Sequence, residues 1–139
     1  MQRPIDQHTA LIFTMVLVSA AEGEMTDAEL EAIGRQVRYL PVFKGFDSDR
    51  LTAVGRQCAE LLRDEEGLTL AIDMIGEALS RPLRETAYAL ACEVAAADGA
   101  LAIEEIHLLG VLRQELSVDR LVAAAIERAT HARHAILSS

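Results

Sequence analysis

One stretch of the chain occurs twice, and this repeat limits the fold more than any other feature. Residues 18–33 read VSAAEGEMTDAELEAI and residues 94–109 read VAAADGALAIEEIHLL, at a constant offset of 76 residues. The pattern predicts two copies of one helix–turn–helix unit, each of which buries its apolar face against the other. The identical pairs are Val18/Val94, Ala20/Ala96, Ala21/Ala97, Gly23/Gly99 and Glu29/Glu105.

The repeated unit contains the signals that end one helix and begin the next. An apolar helix runs into an acid and then a glycine, which closes a helix in the left-handed conformation without a steric penalty. In the first copy, Thr26 and Glu29 have the spacing of a capping box. The acid before each glycine follows a helix C-terminus, which repels negative charge. We expect either the free amides of the next helix or a cation to compensate that charge.

Hydrophobic spacing predicts about seven helices and no sheet, because no stretch shows sustained strand alternation. The first helix is apolar nearly all round in its second half, which places it at the centre of the fold. Ser48 or Asp49 is expected to cap the third helix, Ser80 begins the fifth, and Ser117 caps the seventh. The predicted helices cover residues 5–21, 27–39, 49–63, 65–79, 81–97, 102–115 and 118–134.

These helices are expected to form one all-α domain over residues 1–139, a single compact bundle with a pseudo-twofold internal repeat. The repeat halves span about 5–40 and 81–116. Alanines along the fifth helix predict a close approach by the first helix, and Phe43 and Phe46 are expected to fold over the core. Inward-facing positions are predicted for Leu30, Ile33, Val37, Leu68, Ile103, Ile106, Leu109 and Leu112.

The charge balance bears on possible partners. A formal net charge of −9 argues against nucleic acid or an anionic membrane as the main partner and agrees with binding of a cation or of other proteins, basic ones above all. Cys58 and Cys92 lie far apart in predicted helices, which predicts two buried, reduced thiols. The uncharged run at 9–21 is shorter than the ~20 residues that span a bilayer. We therefore expect no direct membrane insertion and a cytoplasmic location. The sequence leaves open whether the protein forms a homodimer.

The doubled segment resembles the hallmark of TerB-type tellurite-resistance proteins. The match lies in AAADG at residues 95–99 with Glu105, and in AAEGEMTDAE at residues 20–29. The same module is found in membrane-anchored J-domain co-chaperones. The resemblance implies an all-helical, cytoplasmic, non-enzymatic domain of a bacterial stress response.

The resemblance also implies a site. Acidic motif residues of that family are thought to gather into one cluster that holds a metal ion, and carboxylate oxygens suit Ca²⁺, Mg²⁺ or Mn²⁺. Carried over by position, the cluster is Glu22, Glu24, Glu29, Asp98 and Glu105. This chain departs from the family pattern, with Glu22 in place of aspartate, Ala100 in place of an acid, and Ala102 and Ile103 in place of the polar cap. The alternative is that these acids only accept hydrogen bonds from helix-starting amides.

Other motifs have simpler interpretations. The spacing of Glu104 and His107 occurs in di-iron bundles, but the first copy lacks both residues, so His107 is expected on the helix surface. His131 and His134 are expected to compensate a helix dipole. Glu93 lies in an apolar run and is expected either to pair with an arginine or to stay at an exposed edge.

The sequence therefore predicts a binding domain and not an enzyme, because no catalytic constellation is present. The first hypothesis is that the acidic cluster binds a cation or a basic protein partner. The second is a co-chaperone-like scaffold without metal, which predicts an exposed apolar patch. The third is thiol-based handling of an oxyanion, which predicts that Cys58 and Cys92 are exposed and adjacent.

Overall fold

The computed structural model describes residues 4–21, 23, 25–97, 99 and 103–138. Within these residues the chain forms helices and no strand, which confirms the predicted all-α bundle. Two short 3-10 turns, Pro41–Phe43 and Ser48–Arg50, precede the third helix. The seven α-helices are α1 Gln7–Ala20, α2 Asp27–Tyr39, α3 Leu51–Leu62, α4 Gly67–Ala78, α5 Arg81–Ala95, α6 Ile103–Glu115 and α7 Arg120–Arg133.

Helix α1 is the central element, as its all-round apolar surface predicts. Every residue from Thr9 to Ser19 is buried, and the helix packs against α3, α4 and α5. It begins two residues later than predicted because the Asp6 carboxylate caps it, accepting from the Thr9 amide across 2.8 Å. Its most extensive neighbour is α5, whose Ala87 and Ala91 are fully buried. The predicted close approach of these two helices is confirmed.

The two repeated hairpins match in their local geometry. When 76 is added to the residue numbers of α2, its first and last residues coincide with the first and last residues of α6. Gly23 and Gly99 both have positive φ, +114° and +78°, which only glycine adopts easily. Helices α2 and α6 each contact both α1 and α5. Outside the hairpins, α3 packs on α1 and α7 packs on α5.

The starts of α3, α4 and α7 also differ from the prediction. Helix α3 begins at Leu51, and Asp47, not Ser48 or Asp49, accepts from the Asp49 amide at the start of the preceding 3-10 turn. Asp119, and not Ser117, caps α7, because its Oδ2 accepts from the Leu121 amide across 3.0 Å. Ser117 instead takes a left-handed conformation, φ 57°, in the turn that reverses the chain after α6. Helix α4 begins at Gly67, two residues later than expected, because the acids at 64–66 form the turn that joins it to α3.

Several leucines and isoleucines predicted to point inward are exposed. In α6 the inner face holds Glu105, Leu108 and Leu112, which are buried at helical spacing. A buried acid on this face turns the neighbouring isoleucines outward, and periodicity of apolar residues alone could not show this. The incorrect inward predictions are Leu30, Leu68, Ile103 and Ile106, whereas Ile33, Val37 and Leu112 are buried as expected.

The loop between α2 and α3 covers the core beside the start of α1. Phe43 is buried and Phe46 packs edge-on against it, as predicted. His8 in α1 stacks on Phe43, and its Nε2 lies 2.9 Å from the Val42 carbonyl oxygen. These contacts place the two aromatic rings against the protein itself, so this loop does not provide an exposed apolar patch.

Candidate functional site

Glu29 combines a helix cap with a buried carboxylate. Its Oε1 accepts from the Thr26 amide across 2.9 Å, while its own amide donates to Thr26 Oγ1 across 3.1 Å. This confirms the predicted capping box. The side chain is fully buried, and its Oε2 has no hydrogen-bond partner within the described residues. A buried carboxylate oxygen without a hydrogen-bond partner carries a desolvation cost.

Glu105 occupies the same place in the second hairpin. It is the third residue of α6, as Glu29 is the third residue of α2, and it too is fully buried. Each follows a turn with a left-handed glycine, Gly23 or Gly99. Buried glutamates are rare in proteins unless they are compensated, so two at equivalent positions mark the most unusual chemistry in the molecule.

The other predicted cluster residues, Glu22, Glu24 and Asp98, lie outside the described residues. In the part of the chain that the structure describes, no group of three or more His, Cys, Asp or Glu side chains has the arrangement of a metal site. The structure thus places two of the five predicted ligands, Glu29 and Glu105, and both are inside the protein.

A small crevice, here the polar crevice, lies between the first turns of α2 and the end of α5. It encloses about 150 Å³ and also contacts His134, just after α7. The carboxylate of Glu93 accepts from Arg133 Nε across 2.7 Å and from His134 Nε2 across 2.9 Å, and Arg133 Nη2 also contacts it. The walls of the polar crevice include Ala28, Glu31, Ala32, Arg35, Glu93 and Ala97.

The pKa of Glu93 reflects these contacts. Burial raises the pKa of this carboxyl, but hydrogen bonds and charges from His134 and Arg133 outweigh burial and hold it below its ordinary value. The predicted pairing of Glu93 with an arginine is thereby confirmed. The ion pairs also fasten the end of α7 to the end of α5.

A larger crevice, here the apolar crevice, is the counterpart of the polar crevice in the other half of the repeat. Most of its lining residues correspond to those of the polar crevice at the offset of 76 residues. It encloses about 600 Å³ between the end of α1 and the first turns of α6. The end of α3 contributes Leu62 and the start of α4 contributes Leu68. The six positions that it shares with the polar crevice are Leu17, Ala21, Glu104, His107, Leu108 and Val111. Glu104 and His107 are exposed, as expected for His107.

Comparison with known proteins assigns a family. A family model described as Tellurite resistance protein TerB matches residues 8–129. The chain belongs to the TerB family. The match covers nearly all of α1, the whole of α2 to α6 and most of α7. It includes the apolar crevice and the residues of the polar crevice other than His134, and it confirms the resemblance carried by the doubled motif. No significant match was found among curated proteins or among solved structures.

The two thiols of this TerB domain do not have the predicted properties of an oxyanion site. Cys58 and Cys92 are both buried and form no disulfide. Burial raises the pKa of each thiol to about 12, so both are protonated at neutral pH and are poor nucleophiles. The prediction of buried, reduced thiols is confirmed, and the prediction of exposed ones is wrong.

A third groove, of about 450 Å³, runs between α5, α6 and α7 and was not found from the sequence. At its base the Tyr88 hydroxyl donates to Glu127 Oε2 across 2.5 Å. Burial, followed by this hydrogen bond, raises the pKa of Tyr88 above its usual range. No motif joins two residues 39 positions apart, so the sequence contained no signal for this contact. None of the helices in the described part of the TerB domain is long and apolar enough to cross a membrane.

Proposed function

We propose that this TerB domain binds a divalent cation through carboxylates of its two hairpins and acts by binding and not by catalysis. The observation that supports the proposal is the pair of fully buried glutamates at equivalent positions, Glu29 and Glu105. We further propose, from membership of the TerB family, that this function serves a stress response of the tellurite-resistance type in the cytoplasm.

The chemistry of Glu29 favours a cation as the compensating group. One carboxylate oxygen holds the capping box, and the other is buried with no hydrogen-bond partner in the described chain. A buried carboxylate stays ionised only when a positive charge or several donors face it. Carboxylate oxygens bind hard cations, so the candidates are Ca²⁺, Mg²⁺ and Mn²⁺.

The proposed ligands come from both hairpins. The acids that flank the two glycine turns in sequence are close along the chain to the buried pair, and their charge is poorly placed after a helix C-terminus. A bound cation would offset both the desolvation of the buried Glu29 carboxylate and the unfavourable placement of these acids. The proposed set is Glu22, Glu24, Glu29, Asp98 and Glu105.

Calorimetric titration with CaCl2, MgCl2 and MnCl2 tests the proposal, with NMR of the same samples to locate the affected residues. Glu29→Gln is the sharpest variant, because glutamine keeps the capping acceptor and removes the charge. We expect Glu29→Gln and Asp98→Asn each to weaken binding at least about tenfold, and Glu105→Gln to do the same.

Matched controls come from exposed neighbours. Glu31→Gln lies on the same helix as Glu29, and Glu104→Gln is adjacent to Glu105; both side chains are exposed. We expect these two variants to bind like the wild type. The absence of saturable binding below millimolar metal would eliminate the cation site, as would equal losses in the control variants.

A further inference from the structure

We propose that the apolar crevice docks a basic amphipathic helix of a protein partner. This inference does not depend on the cation site, because the crevice lies between the end of α1, the turn joining α3 to α4, and α6. The occupant to which we commit is a helix with apolar side chains on one face and lysine or arginine beside them.

The lining of the crevice matches an apolar binding face. Leu17 and Leu108 form buried parts of its wall, and Val111 continues it along α6. Leu68 and Ile103 stand at its mouth with 43% and 80% of their surfaces exposed. A volume of about 600 Å³ has room for several side chains. Exposed apolar residues grouped around such a recess are typical of an interaction site.

The charges around the crevice favour a basic partner. The turn between Leu62 and Leu68 presents three exposed acids, Asp64, Glu65 and Glu66, beside a single base, Arg63. Across the opening, Glu104 is exposed on α6 next to His107. The whole chain carries a formal charge of −9. A second copy of the chain would bring the same excess of acid, whereas a basic segment is attracted and oriented.

The walls favour a helix over an extended peptide. An extended segment binds most readily by adding to the edge of a sheet, and the described residues contain no strand. The walls are the sides and ends of four helices, which accept a fifth by packing ridges into grooves. Apolar side chains at positions i, i+3, i+4 and i+7 of a helix form one such face.

At the polar crevice, the equivalent surface is contacted by the end of one of the protein's own helices. There the end of α7 brings the basic side chain of Arg133 and the imidazole of His134 onto the carboxylate of Glu93. In the apolar crevice the position of Glu93 is taken by Leu17, and Leu62 at the end of α3 is a further apolar wall residue. The fold therefore places its own helix end at one crevice, which keeps about 150 Å³, and leaves about 600 Å³ at the equivalent one open to an apolar helix from outside.

Fluorescence anisotropy with a labelled model peptide tests this inference. The probe is an amphipathic helix of about 18 residues made of leucine and lysine, with leucine on one face. The control probe has the same composition in a permuted order without an apolar face. We expect saturable binding of the first probe, at least about tenfold tighter than that of the second, and NMR shifts at Leu68, Ile103 and Val111.

Two substitutions make the test specific. Ile103→Ser removes an exposed apolar side chain at the crevice, and Leu121→Ser removes one on α7 that is 81% exposed, so neither variant threatens the fold. We expect Ile103→Ser to weaken peptide binding at least about tenfold and Leu121→Ser to leave it unchanged. Glu65→Lys is expected to weaken binding and to reduce its salt dependence.

The outcomes separate this inference from the cation proposal. Glu29→Gln is expected to bind the peptide like the wild type, whatever it does to metal binding. The inference is overturned if the permuted peptide binds equally well, if Ile103→Ser has no effect, or if no binding is seen. It is also overturned if sedimentation of the protein alone shows self-association that Ile103→Ser abolishes, because the crevice would then be covered by a second copy.

Discussion

The two crevices share their backbone frame and differ in almost every side chain. The offset of 76 residues relates their walls position by position, yet Glu93 in the polar crevice corresponds to Leu17 in the apolar one. Likewise Arg35 corresponds to Val111. The frame depends on helix lengths and turn glycines, whereas the chemistry of each crevice depends on a few side chains that vary without disturbing the frame.

The difference also shows why one crevice is closed and the other is open. In the polar crevice, the end of α7 bears charged groups that reach Glu93 and reduce the space to about 150 Å³. In the apolar crevice, α3 ends in Leu62 and the chain turns away into α4, so about 600 Å³ stays unfilled. Three substitutions test whether the contrast between ion pairs and apolar walls accounts for this.

The largest effect is expected from Leu17→Glu, which transfers the acid of the polar crevice into the apolar one. Leu17 is buried, so the new carboxylate would lie among apolar atoms without a partner. We expect a loss of about 3–5 kcal/mol in the free energy of unfolding, measured by urea denaturation. Leu121→Glu, on an exposed site, is the control and should cost almost nothing. A loss below about 1 kcal/mol for Leu17→Glu would show that the apolar crevice accommodates a carboxylate, and would contradict the contrast between the two crevices.

A smaller effect is expected from Gly67→Ala, at the first residue of α4. A Cβ there would stand 1.9 Å from the Leu61 carbonyl oxygen, a backbone atom that cannot move aside. We expect a loss of about 1–3 kcal/mol and a shift of Leu68 at the apolar crevice. Gly55→Ala, within α3 and free of close contacts, is the control and should gain about 0.5–1 kcal/mol. Equal behaviour of the two alanines would refute the close approach of α3 and α4.

The smallest effect is expected from Glu93→Gln in the polar crevice. Since the folded pKa of Glu93 lies below its ordinary value, the ion pairs stabilise the fold above the unfolded pKa, and this stabilisation is lost as pH falls through the folded one. We expect the variant to lose about 1 kcal/mol at pH 7 and to show a flatter fall of stability toward pH 3. Glu31→Gln, from an exposed pair with Arg35, is the control. If the free energy of unfolding changes with pH in the same way for Glu93→Gln and the wild type, the stabilising role of the Glu93 ion pairs is contradicted.

Much of the fold could be predicted because its signals are local. The capping box of Thr26 and Glu29 fixes where α2 begins, and the all-round apolar surface of α1 places it at the centre. The alanines of α5 likewise indicated a close helix neighbour. Such features need only a few consecutive residues, so a single sequence is enough to show them.

The site was harder to predict, because it depends on which face of α6 turns inward. Glu105 is buried where apolar spacing had placed Ile103 and Ile106, so the hydrophobic pattern alone gave the wrong face. Contacts such as Tyr88 with Glu127 depend on tertiary packing and leave no trace in local sequence. The two crevices appear only when the ends of separate helices are brought together.

The complete burial of α1 has a consequence for synthesis of the chain. Its main neighbour, α5, begins about sixty residues after α1 ends. At translation rates of 5–20 residues per second, the first helix would leave the ribosome roughly 3–12 s before its principal cover. During that interval the nascent chain would expose the apolar surface of α1, and it would rely on chaperones or on transient packing of α3 and α4 against this helix.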